Sequence, residues 1–236
     1  MRPFVKRCAL AAATVCIIAA ALEIAGLHAS GPGSNLDGWK PLFNGRDLAG
    51  WRALKSETPG DGWLASHGVL TRARNGGDLV TVDQFADFEL NLEWKISKGG
   101  NSGILYRVNL DNGEAYETGP EFQILDNLDA ADRLQPNHRA GSLYDLVAPA
   151  RDTTRPLGRW NRTRIVIRGW KIEHWLNGKK IVDVDLASPE GKALIARSKF
   201  AGSAHFASFG RGHIVLQDHG DVVSFRRIRI RDLGGP

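Results

Sequence analysis

"DFELNLEWKIS", residues 87 to 97, alternates apolar and polar residues without a break. On an extended chain Phe88, Leu90, Leu92, Trp94 and Ile96 share one face, while Glu89, Asn91, Glu93 and Lys95 share the other. A helix would scatter both sets around its axis, so the stretch predicts a strand with one buried face. The same period continues in "NRTRIVIRGWKIEHWLNGKKIVDVDL" (161 to 186), which reads as a three-strand meander. Arg168-Gly169 marks its first turn, and Asn177-Gly178, the dipeptide suited to a type I′ turn, marks its second. Further strands are expected at 62 to 72, 78 to 82, 101 to 108, 120 to 126, 213 to 218 and 221 to 231. One helix is expected within "SPEGKALIARSKF" (188 to 200), with Ser188 as its cap, Pro189 in the first turn and Glu190 at the positive end of the dipole. Many strands with no βαβ rhythm and no internal repeat imply an all-β fold, an antiparallel two-sheet sandwich or jelly roll with at most one short helix.

The first 29 residues are expected to be a secretory signal rather than part of that sandwich. Arg2, Lys6 and Arg7 precede an apolar run from about Cys8 to Leu22, and Leu27-His28-Ala29 offers a small-residue exit. The run is shorter than the ~20 residues of a spanning helix, with an uncleaved anchor as the alternative. Residues 30 to 37 read as a linker, and 38 to 233 as a single domain. Both cysteines, Cys8 and Cys16, lie in the signal. The exported chain, periplasmic or secreted, is therefore expected to have no disulfide or thiolate metal site and to rely on core burial alone. Removing the signal leaves 28 basic against 25 acidic residues. So mild a charge, with the arginines of "FRRIRIRD" spaced by apolar residues, argues against a nucleic-acid partner, and no membrane contact is expected beyond the export signal.

Polar residues set into strands are the candidates for a site. In "GPEFQILDN" (119 to 127), Glu121 and Gln123 share one face and Phe122 and Ile124 the opposite one. Asp126 falls on the core side at the strand end, where an Asx-turn is its ordinary role. "NSGILYR" puts Asn101, Gly103, Leu105 and Arg107 together, "GSLYD" offers Tyr144, and "VLQDHGD" places Gln217 and His219 on one face. Trp160, Trp170 and Trp175 are either sugar-stacking surfaces or core residues. No Gly-x-Ser-x-Gly elbow, His-Glu-x-x-His helix or phosphate-binding glycine loop occurs. Glu117 and Glu121 are separated by Gly119-Pro120, which breaks the alternation and weakens a two-carboxylate glycosidase reading.

Eight blocks in order then resemble the 3-keto-disaccharide hydrolase family: "GWKPLFNGRDLAGW", "DFELNLEWKIS", "GNSGILYRV", "PEFQILDN", "GSLYDLVAP", "GRWNRTRIVIRG", "LNGKKI" and "IVLQDHGDVVSFRRIRIRDL". The resemblance implies a concanavalin A-like sandwich acting on glycosides oxidised to a ketone at carbon 3. It also implies a carbohydrate substrate and a sugar 3-dehydrogenase in the same pathway. A ketone there acidifies the hydrogen on carbon 2, so a base can remove it, the group on carbon 1 is expelled, and water adds. Carried onto this chain, the resemblance places the site on Glu121 and Gln123 with Asn101, Arg107, Tyr144, Gln217 and His219 around them; residue chemistry then assigns Glu121 or His219 as base, Arg107 or a cation on the ketone, and Tyr144 as acid. Asn101, Gln123 and Gln217 would hold hydroxyls. No cofactor is required by the sequence; a divalent cation near Glu121 and His219 stays open, since oxygen and imidazole ligands suit several metals but no ligand spacing is recognisable. The family's Phe-Arg-Asn-Ile is "FRRI" here, with Arg227 replacing the asparagine. A non-catalytic carbohydrate-binding module on the same fold is the alternative reading.

Overall fold

A computed structural model describes residues 38–234; the expected signal segment and linker, residues 1 to 37, lie outside them. The central strand of the larger sheet is the one the sequence marks most clearly, β6 (Phe88–Ile96). Its five apolar side chains are all buried. Around it stand β1 (Trp39–Pro41), β3 (Trp63–Ser66), β4 (Val69–Arg72), β9 (Asn161–Arg168), β10 (Lys171–Leu176), β11 (Lys179–Asp185) and β13 (Val223–Asp232). They run β11-β10-β9-β6-β13-β4-β3, with β1 also paired to β13. The second sheet, β2-β5-β12-β7-β8, is built from β2 (Trp51–Ala53), β5 (Leu79–Thr81), β7 (Asn101–Val108), β8 (Glu121–Leu125) and β12 (His213–Leu216). All pairings are antiparallel. The fold is the two-sheet sandwich that the alternation implies.

The core between the sheets takes one face of each strand, Phe88, Leu90, Trp94 and Phe225 meeting Ile104, Tyr106, Phe122 and Leu216. Within it Trp94 Nε1 donates to Thr163 Oγ1 at 2.9 Å, and Tyr106 O–H pairs with His174 Nε2 at 2.9 Å. Burial pushes the His174 imidazole down to about 4, so it sits neutral between Tyr106 and the Gly141 carbonyl. A smaller cluster of Val80, Leu105, Val108, Ala115 and Val215 covers part of the outer face of the five-stranded sheet.

Turns follow local chemistry. Asn177 (φ 50°) and Gly178 (φ 82°) make the left-handed corner expected between β10 and β11. The single strand expected at 62 to 72 is instead the hairpin β3-β4, because His67 (φ 50°) and Gly68 (φ 77°) turn the chain back. The expected helix is α2 (Pro189–Ala196), where Ser188 Oγ accepts from Gly191 N at 3.0 Å. It stops short of Lys199 and Phe200. A single helical turn, α1 (Ala115–Thr118), follows β7. Among the described residues, no helix is long and apolar enough to cross a membrane.

Three register shifts interrupt the sheets, one of them between β10 and β11 at His174-Trp175. In β13 the register slips between Arg226 and Arg229, with Arg227 at φ 54°. Between β12 and β7 the register slips after His213, with Arg107 at φ 52° on the β7 side. Leu105 and Val108, three apart, therefore both reach the outer cluster, and Arg107 does not follow Asn101 and Gly103.

Candidate active site

A cleft of about 610 Å3 opens on the outer face of the five-stranded sheet, and its floor is the strand pair β7-β8. Strand alternation sends Phe122 and Ile124 into the core and turns Glu121 and Gln123 into the cleft. Gly103 lies opposite Gln123 in register. A β-carbon on Gly103 would fall 2.0 Å from Glu121 Oε1, so the bare glycine leaves the space that the Glu121 carboxyl occupies. The hydrogen-bond network orients the Gln123 amide with its nitrogen 2.9 Å from Glu121 Oε1 and 3.0 Å from the Ser102 carbonyl. Glu121 is 6% exposed. Burial raises its carboxyl to about 8, with Asp78 and Asp132 pushing the same way against Lys199. At neutral pH this group holds its proton.

Of the other residues singled out from the sequence, Asn101, Tyr144, Gln217 and His219 line the same cleft. Gln217 Oε1 is buried without a hydrogen-bond partner, an acceptor that a sugar hydroxyl would satisfy. His219 stands at the exposed rim, whereas Glu121 is on the floor. Tyr144 O–H donates to Asp132 Oδ2 at 3.2 Å, and burial, then the Asp132 charge, pushes its phenol up.

Arg107 is elsewhere. Its side chain is buried between the sheets, ion-paired to Asp87 at 2.8 Å, donating to the Ala86 and Gly169 carbonyls and lying over Trp170. The bulge at Tyr106-Arg107 breaks the alternation that would have carried it to Asn101 and Glu121. It ties β7 to the β9-β10 turn and cannot polarise a ketone over Glu121. Lys199, from the segment after α2, is the cation that lines the cleft beside Tyr144. Its backbone N–H donates to Asp145 Oδ2 at 2.7 Å, and its ammonium lies 4.2 Å from the centre of the Tyr144 ring. Asp145 also accepts from His138 Nε2 at 2.9 Å, so one carboxylate holds the Lys199 backbone in place.

Asp78 and Asp218 complete one wall, and the sequence analysis did not single them out. Asp218 has a structural role. One oxygen accepts from Arg72 Nε at 2.7 Å and the other from the amides of Gly76 and Gly77 at 3.0 Å. Against the cost of burial, these bonds hold its carboxyl below the ordinary range. Asp78 accepts from Asp218 N at 2.8 Å, and burial raises its carboxyl to about 6. Asp126 is the strand-end residue expected, accepting from Gly99 N and Leu128 N. Trp160 and Trp175 are half-buried beneath Lys95, Arg226, Arg164 and Lys180, outside the cleft. Among the described residues no group of three or more His, Cys, Asp or Glu is placed to hold a metal ion.

A buried carboxyl, a phenol and an ammonium thus face one cleft on a two-sheet β-sandwich. The profile of the 3-keto-α-glucoside-1,2-lyase-like domain matches residues 38–231, and the chain belongs to that family of glycoside-acting enzymes. It is 31% identical over 229 residues to a 3-keto-disaccharide hydrolase of Bacteroides thetaiotaomicron, covering 84% of this chain and 79% of the relative. Among solved structures, a Parabacteroides distasonis protein described as a glycosyl hydrolase superposes with TM-score 0.78 at 30% identity, covering 84% of this chain and 94% of that one. A Bacillus subtilis protein with a galectin-like fold, at TM-score 0.51 and 13% identity over 82% of this chain and 94% of that one, is similar in fold alone.

Proposed function

We propose that the protein cleaves glycosides whose sugar carries a ketone at carbon 3, by elimination across carbons 1 and 2 followed by hydration. The observation that carries this reading is Glu121, a buried carboxyl raised to about 8 on the floor of the cleft. Ionised, it is a stronger base than an exposed carboxylate, as removal of a hydrogen from carbon 2 requires. The base is therefore Glu121, with His219 at the rim. When the carbon 2 proton passes to Glu121, the electron pair moves onto the carbon 3 oxygen, which Lys199 stabilises as an enolate. The enolate collapses, the bond from carbon 1 to its oxygen breaks, and the leaving alkoxide takes the Tyr144 proton. A phenol held above its ordinary range suits a leaving group as basic as an alkoxide.

Water then adds to carbon 1 of the enone, returning a proton to Tyr144, and Glu121, its proton exchanged with the entering water, delivers a proton to carbon 2. The sum is hydrolysis. Asn101, Gln123 and the unpartnered Gln217 Oε1 supply hydrogen bonds to sugar hydroxyls. The ketone must come from oxidation of a carbon 3 hydroxyl, the reaction of a sugar 3-dehydrogenase. The positive, apolar and small-residue pattern of residues 1 to 29 supports export.

Asp78 in the same cleft supports a second reading, a two-carboxylate glycosidase acting on ordinary sugars. Product analysis with 3-keto-trehalose and a 3-keto-β-glucoside, each beside its unoxidised parent, separates the two. Cleavage of the keto forms only is expected. Equal cleavage of the parents would replace elimination with glycosidic hydrolysis.

A further inference from the structure

The mouth of the cleft carries an aromatic ring that the reaction just described does not use. Tyr116, on α1, is 45% exposed and lines the cleft. Tyr144 also lines it, but its ring already packs against His138 at 4.4 Å and Lys199 at 4.2 Å, whereas Lys199 is 5.8 Å from the Tyr116 ring. Among the described residues no tryptophan lines the cleft. Tyr116 is thus the aromatic surface that the cleft leaves open to solvent.

The local structure holds it there. Ala115 turns inward onto Leu105, Val108 and Val215, and a helical turn necessarily sends its neighbour outward. Glu114 N donates to Glu117 Oε2 at 2.8 Å at the start of the turn, and Gly119 N bonds back to the Ala115 carbonyl. From the segment after α2, Ser203 Oγ donates to the Glu117 carbonyl and Ala207 N to the Thr118 carbonyl. Beside the ring, Lys55 and Glu114 meet at 2.5 Å, and both line the mouth. An anchored, exposed ring flanked by a donor and an acceptor has the make-up of a sugar-stacking platform.

We propose that Tyr116, with Lys55 and Glu114, forms the subsite for the leaving group and selects 3-keto-glycosides that carry a second ring, a sugar or an aryl group, over short alkyl glycosides. This rests on the reading that Glu121 acts on the oxidised sugar. With that sugar on the floor, its carbon 1 substituent extends toward the mouth, where the Tyr116 face receives it. Tyr116 would be a specificity-determining residue, since the bonds made and broken lie deeper in the cleft.

The experiment compares a 3-keto-disaccharide with methyl 3-keto-glucoside, using the wild type, Tyr116→Ala and Tyr116→Trp. Tyr116→Ala is expected to lower kcat/KM for the disaccharide about tenfold, the scale of one stacking contact. The methyl glycoside should change by less than about threefold, and Tyr116→Trp should keep the wild-type preference. Equal losses on both substrates, or none on either, would overturn the subsite while leaving the Glu121 chemistry standing. A wild type inactive on both would instead refute the chemistry. Calorimetric titration with the unoxidised disaccharide and with glucose then decides the subsite: tighter disaccharide binding lost in Tyr116→Ala upholds it, and indifference to the change overturns it.

Discussion

Replacing Glu121 by Gln should remove activity and, above neutral pH, make the protein more stable. The carboxyl is raised from 4.5 to about 8 by burial. Between those values the folded chain keeps a proton that the unfolded chain has released, so stability falls as pH rises through the window. At about 1.36 kcal/mol per unit, the shift sets an upper bound of ~5 kcal/mol on the loss from pH 4 to pH 9. Glutamine has nearly the same shape as the protonated carboxyl and accepts the same bond from Gln123, but does not ionise. The two proteins should therefore melt together near pH 5 and diverge above it, with Glu121→Gln ahead at pH 9. Even half the bound separates Tm by about 5–10 °C in a domain of this size. The assay is thermal denaturation at half-unit pH steps, paired with turnover of a 3-keto-glycoside. Turnover by the wild type should rise with pH up to about 8 as the base ionises, and the variant should lose about 10²–10⁴-fold. Parallel melting curves across the whole range would show that Glu121 is not a desolvated acid, and the argument for it as base would go with them.

Other consequences are independent of that one. Lys199→Met should lower kcat by about 10²–10³-fold with little change in KM, and Lys199→Arg should recover part of it, because the charge is needed only as the enolate forms. Arg107→Met should destabilise by about 1–3 kcal/mol in denaturant titration, since it leaves the half-buried Asp87 carboxylate with only the Gly169 amide as partner. The kcat of the folded fraction should stay at the wild-type value. Gly103→Ala should cut turnover sharply while circular dichroism shows an intact sandwich, because the new β-carbon displaces the Glu121 carboxyl. Arg227→Asn should raise stability by about 0.5–1 kcal/mol, since φ 54° suits Asn better than Arg; unchanged stability would mean that the exposed bond to Glu93 matters more than the backbone.

Those residues also show what was legible in the sequence. Unbroken alternation from Phe88 to Ile96 fixes a face at every position, and Asn177-Gly178 names its own turn, so β6 and the β9-β10-β11 meander could be placed directly. Glu121, Gln123, Asn101 and Gln217 were legible for the same reason, as polar residues on one side of strands that β-pairing brings together. Arg107 was misplaced because parity fails at a bulge, and nothing in "ILYRV" announces one. His67-Gly68 lacks the Asn-Gly signature, so the hairpin it makes was read as a single strand. Lys199 arrives on an irregular segment, and its position depends on Asp145, 54 residues earlier in the chain. No local period could have carried that information. Tyr116 sits on one helical turn, too short to leave a pattern, and Asp78 precedes a three-residue strand.

The central claim is that the bond from carbon 2 to hydrogen breaks before the glycoside does. Cleavage of a 3-keto-disaccharide in deuterium oxide, followed by mass spectrometry and NMR of the freed keto-sugar beside an enzyme-free control, tests it most directly. The account predicts deuterium at carbon 2 of that sugar, delivered by Glu121 during hydration, and no carbon-bound deuterium in the leaving group. A product that keeps its original hydrogen at carbon 2 would contradict the account.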